Sequence, residues 1–511
     1  MAATHCPKLD ETLPTHPNHI TLKRTGFYIL LVALHLALFW QVKDFPFLGD
    51  SIPSNLFAAE NIYNHHFGTV WNIPEADPGH GTLYPAFIAL MWLIFGKSLW
   101  VTHLVQIVVG LATCLIGYKI ARKNWGESTS QFAVLLFSIS PLYVGQLIGA
   151  SLQLPLTLAA LSAFYFWQQK KHLAYAISLC LMMLCHLQAA FLLLFLFIHD
   201  AAFFYIENGY KLYLRWFFMR WWIYALPFAV FLIWGILHQQ HSGWAFSSPN
   251  YLREAPSFKG LVYNIGIMGW RVIDFGYLIP FAVVIAFIIK RRKKIYLGDA
   301  KVQALISYVL MLLIVGGGIC IVFAHPPIHR YFLPTTLLLL ILFAAILEEM
   351  KPLSAKIWAT VAAIALVAGN FMYYPGKCMG DANLAYLPLF KLEEKIAADF
   401  PKNTVFYTYA PLSYPSSIRY MDSAKGPVFK GLYNKPLDSA TYVLQSCMNC
   451  EFSAREKEIL KTWHGTSYTA GNVFVNIYAN PAKVPQKPKG WQLRQPSAAE
   501  IWLQDAKENL Q

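Results

Sequence analysis

Residues 325–334 read HPPIHRYFLP and lie between two strongly apolar runs, KVQALISYVLMLLIVGGGICIVFA and TTLLLLILFAAIL. A fixed cation in such a turn suits one kind of chemistry. The planar fork of Arg330 can grip a phosphate through paired hydrogen bonds. Tyr331 can stack or bond beside it. Pro326, Pro327 and Pro334 stiffen the turn and limit its entropy. A plainer reading is that Arg330 snorkels toward lipid headgroups.

A second group of reactive side chains sits early in the chain. The stretch DFPFLGDSIPSNLFAAENIYNHHFGTVWNIPEADPGHGTLYPAF carries Asp50, Glu60, Glu75, Asp77 and His80. Carboxylates beside a bilayer are natural bases and cation ligands for work on a membrane-bound substrate. Glu60 and Glu75 read best as ordinary loop polarity. Asp50 is better placed, just beyond an apolar run and after Gly49. His65, His66, Asp77 and His80 are possible metal ligands, but their spacing matches no tight ligand motif. A divalent metal is therefore possible, and no metal ligand is assigned.

These groups need elements to position them. Hydrophobic residues make up 56% of the 511-residue chain and charged residues only 13%, against about a quarter charged in soluble domains. Long uncharged runs predict a multi-span membrane protein. Candidate spans cover 26–42, 98–120, 131–148, 151–168, 172–188, 189–206, 220–238, 275–290, 302–323, 332–347 and 355–373. Basic clusters at Lys23/Arg24, Lys119/Arg122/Lys123, Lys170/Lys171, Lys211/Arg215/Arg220, Lys290–Lys294 and Lys351/Lys356 fall at alternate ends, as the positive-inside rule requires. The expected fold is an all-α polytopic domain of about eleven spans, N-terminus inside and C-terminus outside. The apolar segment 83–96 is too short for that count and reads as interfacial or re-entrant.

The predicted organisation is a cytoplasmic leader at 1–25, a membrane domain at 26–373 and an extracytoplasmic α/β domain at 374–511. The first outer loop covers 43–97 and a second covers 239–274. In the C-terminal domain NLAYLPLFKLEEKIAADF has helical spacing, whereas TVFYTY, PVFKGL, ATYVLQS and NVFVNIYAN read as strands. Cys447 and Cys450 form a CxxC there, open to a disulfide or to free thiols. The net charge of +14 follows from basic residues flanking spans, which argues against nucleic-acid binding. No GxGxxG or P-loop occurs, which argues against a soluble nucleotide as cofactor or energy source.

Two stretches together resemble a known family. Asp50 with its loop, then DPGHGTLYPAFIALMWLIFGKSLW, resembles the first-loop signature of the C-type, polyprenyl-phosphate-sugar-dependent glycosyltransferases. HRYFLPTTLLLLILFAA resembles their Arg-Tyr-Leu-Leu-Pro element. In pattern the chain is similar to the protein O-mannosyltransferases and to the aminoarabinose transferase of lipid A. The resemblance implies inverting transfer of a sugar from a lipid-linked phosphate at the outer leaflet. It implies that Asp50 is the catalytic base and that Arg330, with His329 and Tyr331, holds the leaving phosphate. Asp77 and His80 would line the donor side. The chain departs from the pattern where Ser51 follows Asp50, where GHGTLYP stands in place of a Pro-Pro element, and where GASLQLP offers Ser151 and Gln153 instead of an Asp. In the second outer loop, Arg253 or Arg271 could supply a further phosphate ligand.

The main alternative is a transporter or lipid flippase, with His35, His103, His186, His199 and Asp200 as ionisable groups in or near spans. An assembly factor that uses its C-terminal domain for binding is a third reading. The acceptor stays open among lipid A, a protein side chain and a growing glycan. The absence of Asn-x-Ser/Thr sequons fits a bacterial inner (plasma) membrane.

Overall fold

The computed structural model describes residues 23–47, 51, 55–73, 77–208, 213–246, 257–291, 299–323, 327–375, 382–401, 403–408, 428–431, 436–447 and 452–502. Asp50, Glu75, Arg253, Pro326, Cys378 and Cys450 lie outside them.

The described chain is a helical membrane domain followed by a small mixed sheet. Six helical segments are long and apolar enough to cross a bilayer: Arg24–Val42 (α1), Leu99–Ser138 (α4), Trp216–Ser242 (within α9), Ala300–Val322, His329–Leu347 and Pro352–Gly369 (α15). Two bent pairs would bring the number to eight. They are Pro141–Ile148 (α5) with Gln153–Gln168 (α6), bent by 119°, and Phe258–Ile273 (α10) with Leu278–Arg291 (α11), bent by 100°. Further helices of the domain are Phe57–Asn64 (α2), His172–Met183 (α7) and Ala189–Asn208 (α8), besides one at 83–95.

The breaks have local causes. Within α4, Gly126 adopts φ 76°, so the 40-residue run is two helices joined at a kink. The expected span at 131–148 is broken before Pro141, whose ring pushes Ser140 to an extended ψ of 145°. The expected second loop is mostly helical. α9 (Tyr213–Ser242) runs to the loop's first residues, and α10 fills its last sixteen. Phe258, Val262, Tyr263, Ile265 and Trp270 remain exposed on α10, the pattern of a helix lying in a bilayer interface. Segment 83–96 forms the 13-residue helix Leu83–Phe95 (α3). At about 20 Å it is shorter than the hydrocarbon core of about 30 Å.

The core is built around Leu333–Leu347 (α14), every residue of which is buried. A helix apolar on all sides must be surrounded by protein or lipid; here α4, α6, α11 and Ala300–Met311 (α12) pack around it. Before it, α12 passes through a π-helical turn at Leu312–Gly317 into Gly318–Val322 (α13). Two of the three consecutive glycines have a packing reason here. A Cβ on Gly316 would lie 2.5 Å from the Met268 sulfur, and one on Gly318 would lie 2.5 Å from the Phe191 ring.

Two clusters of paired charges mark one end of the bundle. Arg24 and Arg122 both pair with Glu127, and Arg291 and Lys301 both pair with Glu349. The C-terminal domain packs at the other end, where Val42 of α1 and Ile148 of α5 join its core with Leu389 and Phe406.

That domain contains five strands in the order β2-β1-β3-β5-β4. Val405–Thr408 (β1) runs parallel to Val428–Gly431 (β2) and to Tyr442–Ser446 (β3). Val473–Ala479 (β5) runs antiparallel to β3 and to His464–Ala470 (β4). Pro388–Asp399 (α16) packs on β4 and β5. The four expected strands and the expected helix are present. The additional strand β4, HGTSYTA, is a polar edge strand with no apolar run to mark it. Ala454–Lys461 (α17) is a short helix, closed at its start by a Ser453–Glu456 capping box. Cys447 is disulfide-bonded, to a cysteine outside the described residues, since the other described cysteines are free.

Candidate active site

A narrow cleft collects residues from four distant parts of the sequence. Ser51 and Asn55, His80, Ser151 with Leu152 and Gln153, His186, and Arg330 line it together. Three of these groups come from the first loop or the GASLQLP segment. The residue next to Asp50 thus shares a wall with Arg330, 279 positions away in sequence.

Arg330 lies on a 3-10 turn, His329–Phe332, at the head of α14. Three bonds tie down the turn and the residues leading into it. His329 Nε2 lies 3.0 Å from Asp274 Oδ2. The Asp274 carboxylate also accepts from the Phe275 amide and from the Tyr374 hydroxyl. Gln188 Nε2 donates to the Tyr331 carbonyl at 2.9 Å. Arg271 Nη1 donates to the Pro327 carbonyl at 2.5 Å. His329, 1% exposed, therefore faces Asp274 and not the cleft. Tyr331 stands beside the cleft, its ring 5.6 Å from the Arg330 guanidinium and 6.1 Å from the His186 ring. Arg271 serves the same turn from behind.

The segment PGHG presents His80. Asp77 is buried, accepts from the Gly79 amide at 2.8 Å and pairs with His238 Nε2 at 2.8 Å. The carboxylate that looked like a ligand is thus spent on fixing the turn, and His238 in turn bonds the Trp244 carbonyl. Gly79 has φ +80°, and a Cβ there would meet the Trp244 ring at 2.7 Å. A Cβ on Gly81 would come within 2.0 Å of the Leu184 carbonyl oxygen. Glycines therefore stand where a Pro-Pro element was expected, Gly79 for its left-handed backbone and Gly81 because the Leu184 backbone passes against it. Gly81→Ala should cost about 1–3 kcal/mol of stability, and Gly79→Ala less, since a ring can shift and a carbonyl cannot. Melting temperatures of the two purified variants check this order, and wild-type stability in Gly81→Ala would refute it.

His80 and His186 stack with centroids 3.9 Å apart. His186 lies in the turn between α7 and α8. Its Nδ1 accepts from the Gln188 amide at 2.9 Å, and its Nε2 faces the Gln153 amide group at 3.4 Å. Burial, then His80 and Arg330, push its pKa well below the ordinary value. The Gln188 amide donates to Nδ1, so in the neutral ring the proton sits on Nε2. That proton needs an acceptor, which sets the Gln153 amide with its oxygen toward His186.

Asn55 and His186 are site residues that the sequence did not single out for this role. Asn55 Nδ2 donates to the Ala150 carbonyl at 2.5 Å, which ties the first loop to the α5–α6 reversal. His186 had a weak signal, since Cys185-His-Leu-Gln188 interrupts an otherwise apolar stretch. Glu60 pairs with Lys97, in keeping with a loop-polarity role. The possible metal set does not converge: Asp77 is taken by His238, and His65 bonds the Asn61 carbonyl in its own helix. Among the described residues no three His, Cys, Asp or Glu side chains group closely enough to hold a metal ion.

Residues 79–234 match the family model described as dolichyl-phosphate-mannose-protein mannosyltransferase. The match contains His80, Ser151, Gln153 and His186. No curated protein matches the chain. Among solved structures the chain resembles ArnT from Cupriavidus metallidurans bound to undecaprenyl phosphate. They share 12% identity over 90% of this chain and 98% of that one, with a TM-score of 0.53. The same enzyme in its apo state gives 13% identity over 89% and 98%, with a TM-score of 0.52. The oligosaccharyltransferase AglB from Archaeoglobus fulgidus gives 12% identity over 93% and 76%, with a TM-score of 0.48. The chain is thus similar over residues 79–234 to the dolichyl-phosphate-mannose-protein mannosyltransferase family and similar in its overall fold to ArnT.

Proposed function

We propose that the protein moves a sugar from a polyprenyl-phosphate donor to an acceptor hydroxyl, with inversion, at the outer face of a bacterial inner membrane. The observation that carries this reading is the cleft in which Ser51, His80 and Arg330 meet. The undecaprenyl phosphate carried by the ArnT structure of like fold supports the choice of donor. In this reading Asp50, beside Ser51, takes the proton from the attacking hydroxyl. The bond from the anomeric carbon to the phosphate oxygen breaks, and that oxygen leaves with the electron pair. Arg330 is the fixed charge that stabilises the leaving phosphate. His80 and Tyr331 bound the donor site. Asp77 and His329 act one step back, holding the turns that carry His80 and Arg330.

The acceptor end of the reaction faces the C-terminal domain, which packs at the same end of the bundle as the cleft. A disulfide at Cys447 suits an oxidising compartment, which supports placing that end outside the cell. The experiment is donor turnover. Purified protein in nanodiscs is incubated with a panel of short polyprenyl-phosphate sugars, with membrane extract as acceptor. Free polyprenyl phosphate is followed by mass spectrometry. Release from one donor is the expected result and names the sugar. No release from any donor, with or without divalent metal, would overturn the reading in favour of transport.

A further inference from the structure

A second cavity lies apart from the cleft at Arg330. It has a volume of about 420 Å³ and sits at the other end of the bundle, between α4, α6, α8, α9, α12 and α14. α6 shows the separation. It begins at Gln153 in the cleft and ends at Gln168 in the cavity wall, about 22 Å further along the helix.

The cavity is amphiphilic. Phe164, Phe203, Leu338 and Ile341 form its inner wall. Lys123, Lys170 and Arg220 stand round it. One carboxylate, Asp200, also lines it, but that charge is already matched. Its oxygens accept from Arg220 at 2.7 Å, from the Trp167 indole at 2.6 Å and from Tyr224 at 2.8 Å. Lys123 Nζ donates only to the Gln168 carbonyl, a neutral group. Neither Lys123 nor Lys170 has a carboxylate partner among the described ion pairs, so the lining carries a surplus of positive charge. Two buried polar atoms of the lining, Trp125 Nε1 and Gln168 Oε1, have no hydrogen-bond partner. An unpartnered indole N–H in a basic cavity asks for an acceptor. Phe218 and Trp221, next to Arg220, are largely exposed, as aromatic side chains are at the level of lipid headgroups.

We propose that this cavity is a second lipid site, for the phosphate headgroup and first acyl segment of an anionic phospholipid from the leaflet at the basic end of the bundle. The phosphate sits between Lys123 and Lys170, within reach of the Trp125 indole. The acyl chains lie on Phe164, Phe203 and Leu338. This proposal does not rest on the glycosyltransferase reading. The cavity and the Arg330 cleft share no lining residue.

The test is native mass spectrometry of the detergent-solubilised full chain titrated with phosphatidylglycerol, phosphatidylcholine or inorganic phosphate. Retention of phosphatidylglycerol at about tenfold lower concentration than phosphatidylcholine is expected. The double variant Lys123→Gln/Lys170→Gln should lose that preference, while Arg330→Ala should keep it. Both lysines are exposed, so the double variant should fold. Ala304→Leu narrows the cavity without changing charge and should lower retention of both lipids. Equal retention of the two lipids would overturn the proposal, as would an unchanged preference in the double variant. Stabilisation by inorganic phosphate without lipid retention would overturn the lipid assignment and leave an anion site.

Discussion

Arg330→Ala is expected to lower the rate of sugar release by about 10²–10³-fold, with the protein still folded. Arg330→Lys should recover only part of that loss. The distinction follows from geometry. Arg330 is the cation that the His329–Phe332 turn aims into the cleft, and the turn is held by Asp274, Gln188 and Arg271. A guanidinium presents two parallel donors to a phosphate, whereas an ammonium is a point charge on a flexible stem. Lysine keeps the charge and loses the fork. Steady-state release of polyprenyl phosphate measures the rate. The affinity for free polyprenyl phosphate measures the hold on the leaving group. Both should fall together. If Arg330→Ala releases product at the wild-type rate, the cleft is not where the phosphate departs. If Arg330→Lys matches wild type, only charge matters and the fork plays no part.

How much of this was legible in the sequence depends on the kind of residue. Arg330 was legible because a charge between two long apolar runs is costly and demands a reason. Asp50 stood out as a polar residue tied to a span end, and His80 as one of the reactive side chains of the first outer loop. Ser151 and Gln153 were visible as a departure from a family pattern, and both line the cleft. What the sequence could not display was the second role of apparent ligands. Asp77 and His329 carry the right chemistry, but their partners, His238 and Asp274, lie 161 and 55 positions away. Only the fold reveals that each is already engaged. Hydropathy located apolar runs well and their breaks poorly. Pro141 begins a new helix inside the expected span 131–148, and it does not interrupt the apolar character that a window average measures. The α10 helix was lost for the opposite reason. Its apolar residues are spread along one face among polar ones, so the run reads as a loop until its period is counted.

Asp50→Asn should have the largest effect of all, about 10²–10⁴-fold in turnover with donor affinity nearly unchanged. Ser51, the neighbour of Asp50 in sequence, lines the same cleft as Arg330. A base and a leaving-group clamp must flank the anomeric carbon from opposite sides in an inverting displacement, and residues 50 and 330 are candidates for those two sides. Asparagine keeps the size and the hydrogen-bonding oxygen but cannot take a proton. The variant should therefore bind donor and fail to transfer. Asp50→Glu places the carboxylate about one methylene further out and should keep a small fraction of the rate. A pH series sharpens the test. Wild-type turnover should fall on the acid side as the base is protonated, and the residual rate of Asp50→Asn should lack that limb. Unimpaired turnover in Asp50→Asn would remove Asp50 from the reaction. The first loop would then owe its place in the cleft to Asn55 and His80 alone, which can bind a sugar but, as a neutral amide and an imidazole beside a fixed cation, make a poor pair for activating a hydroxyl.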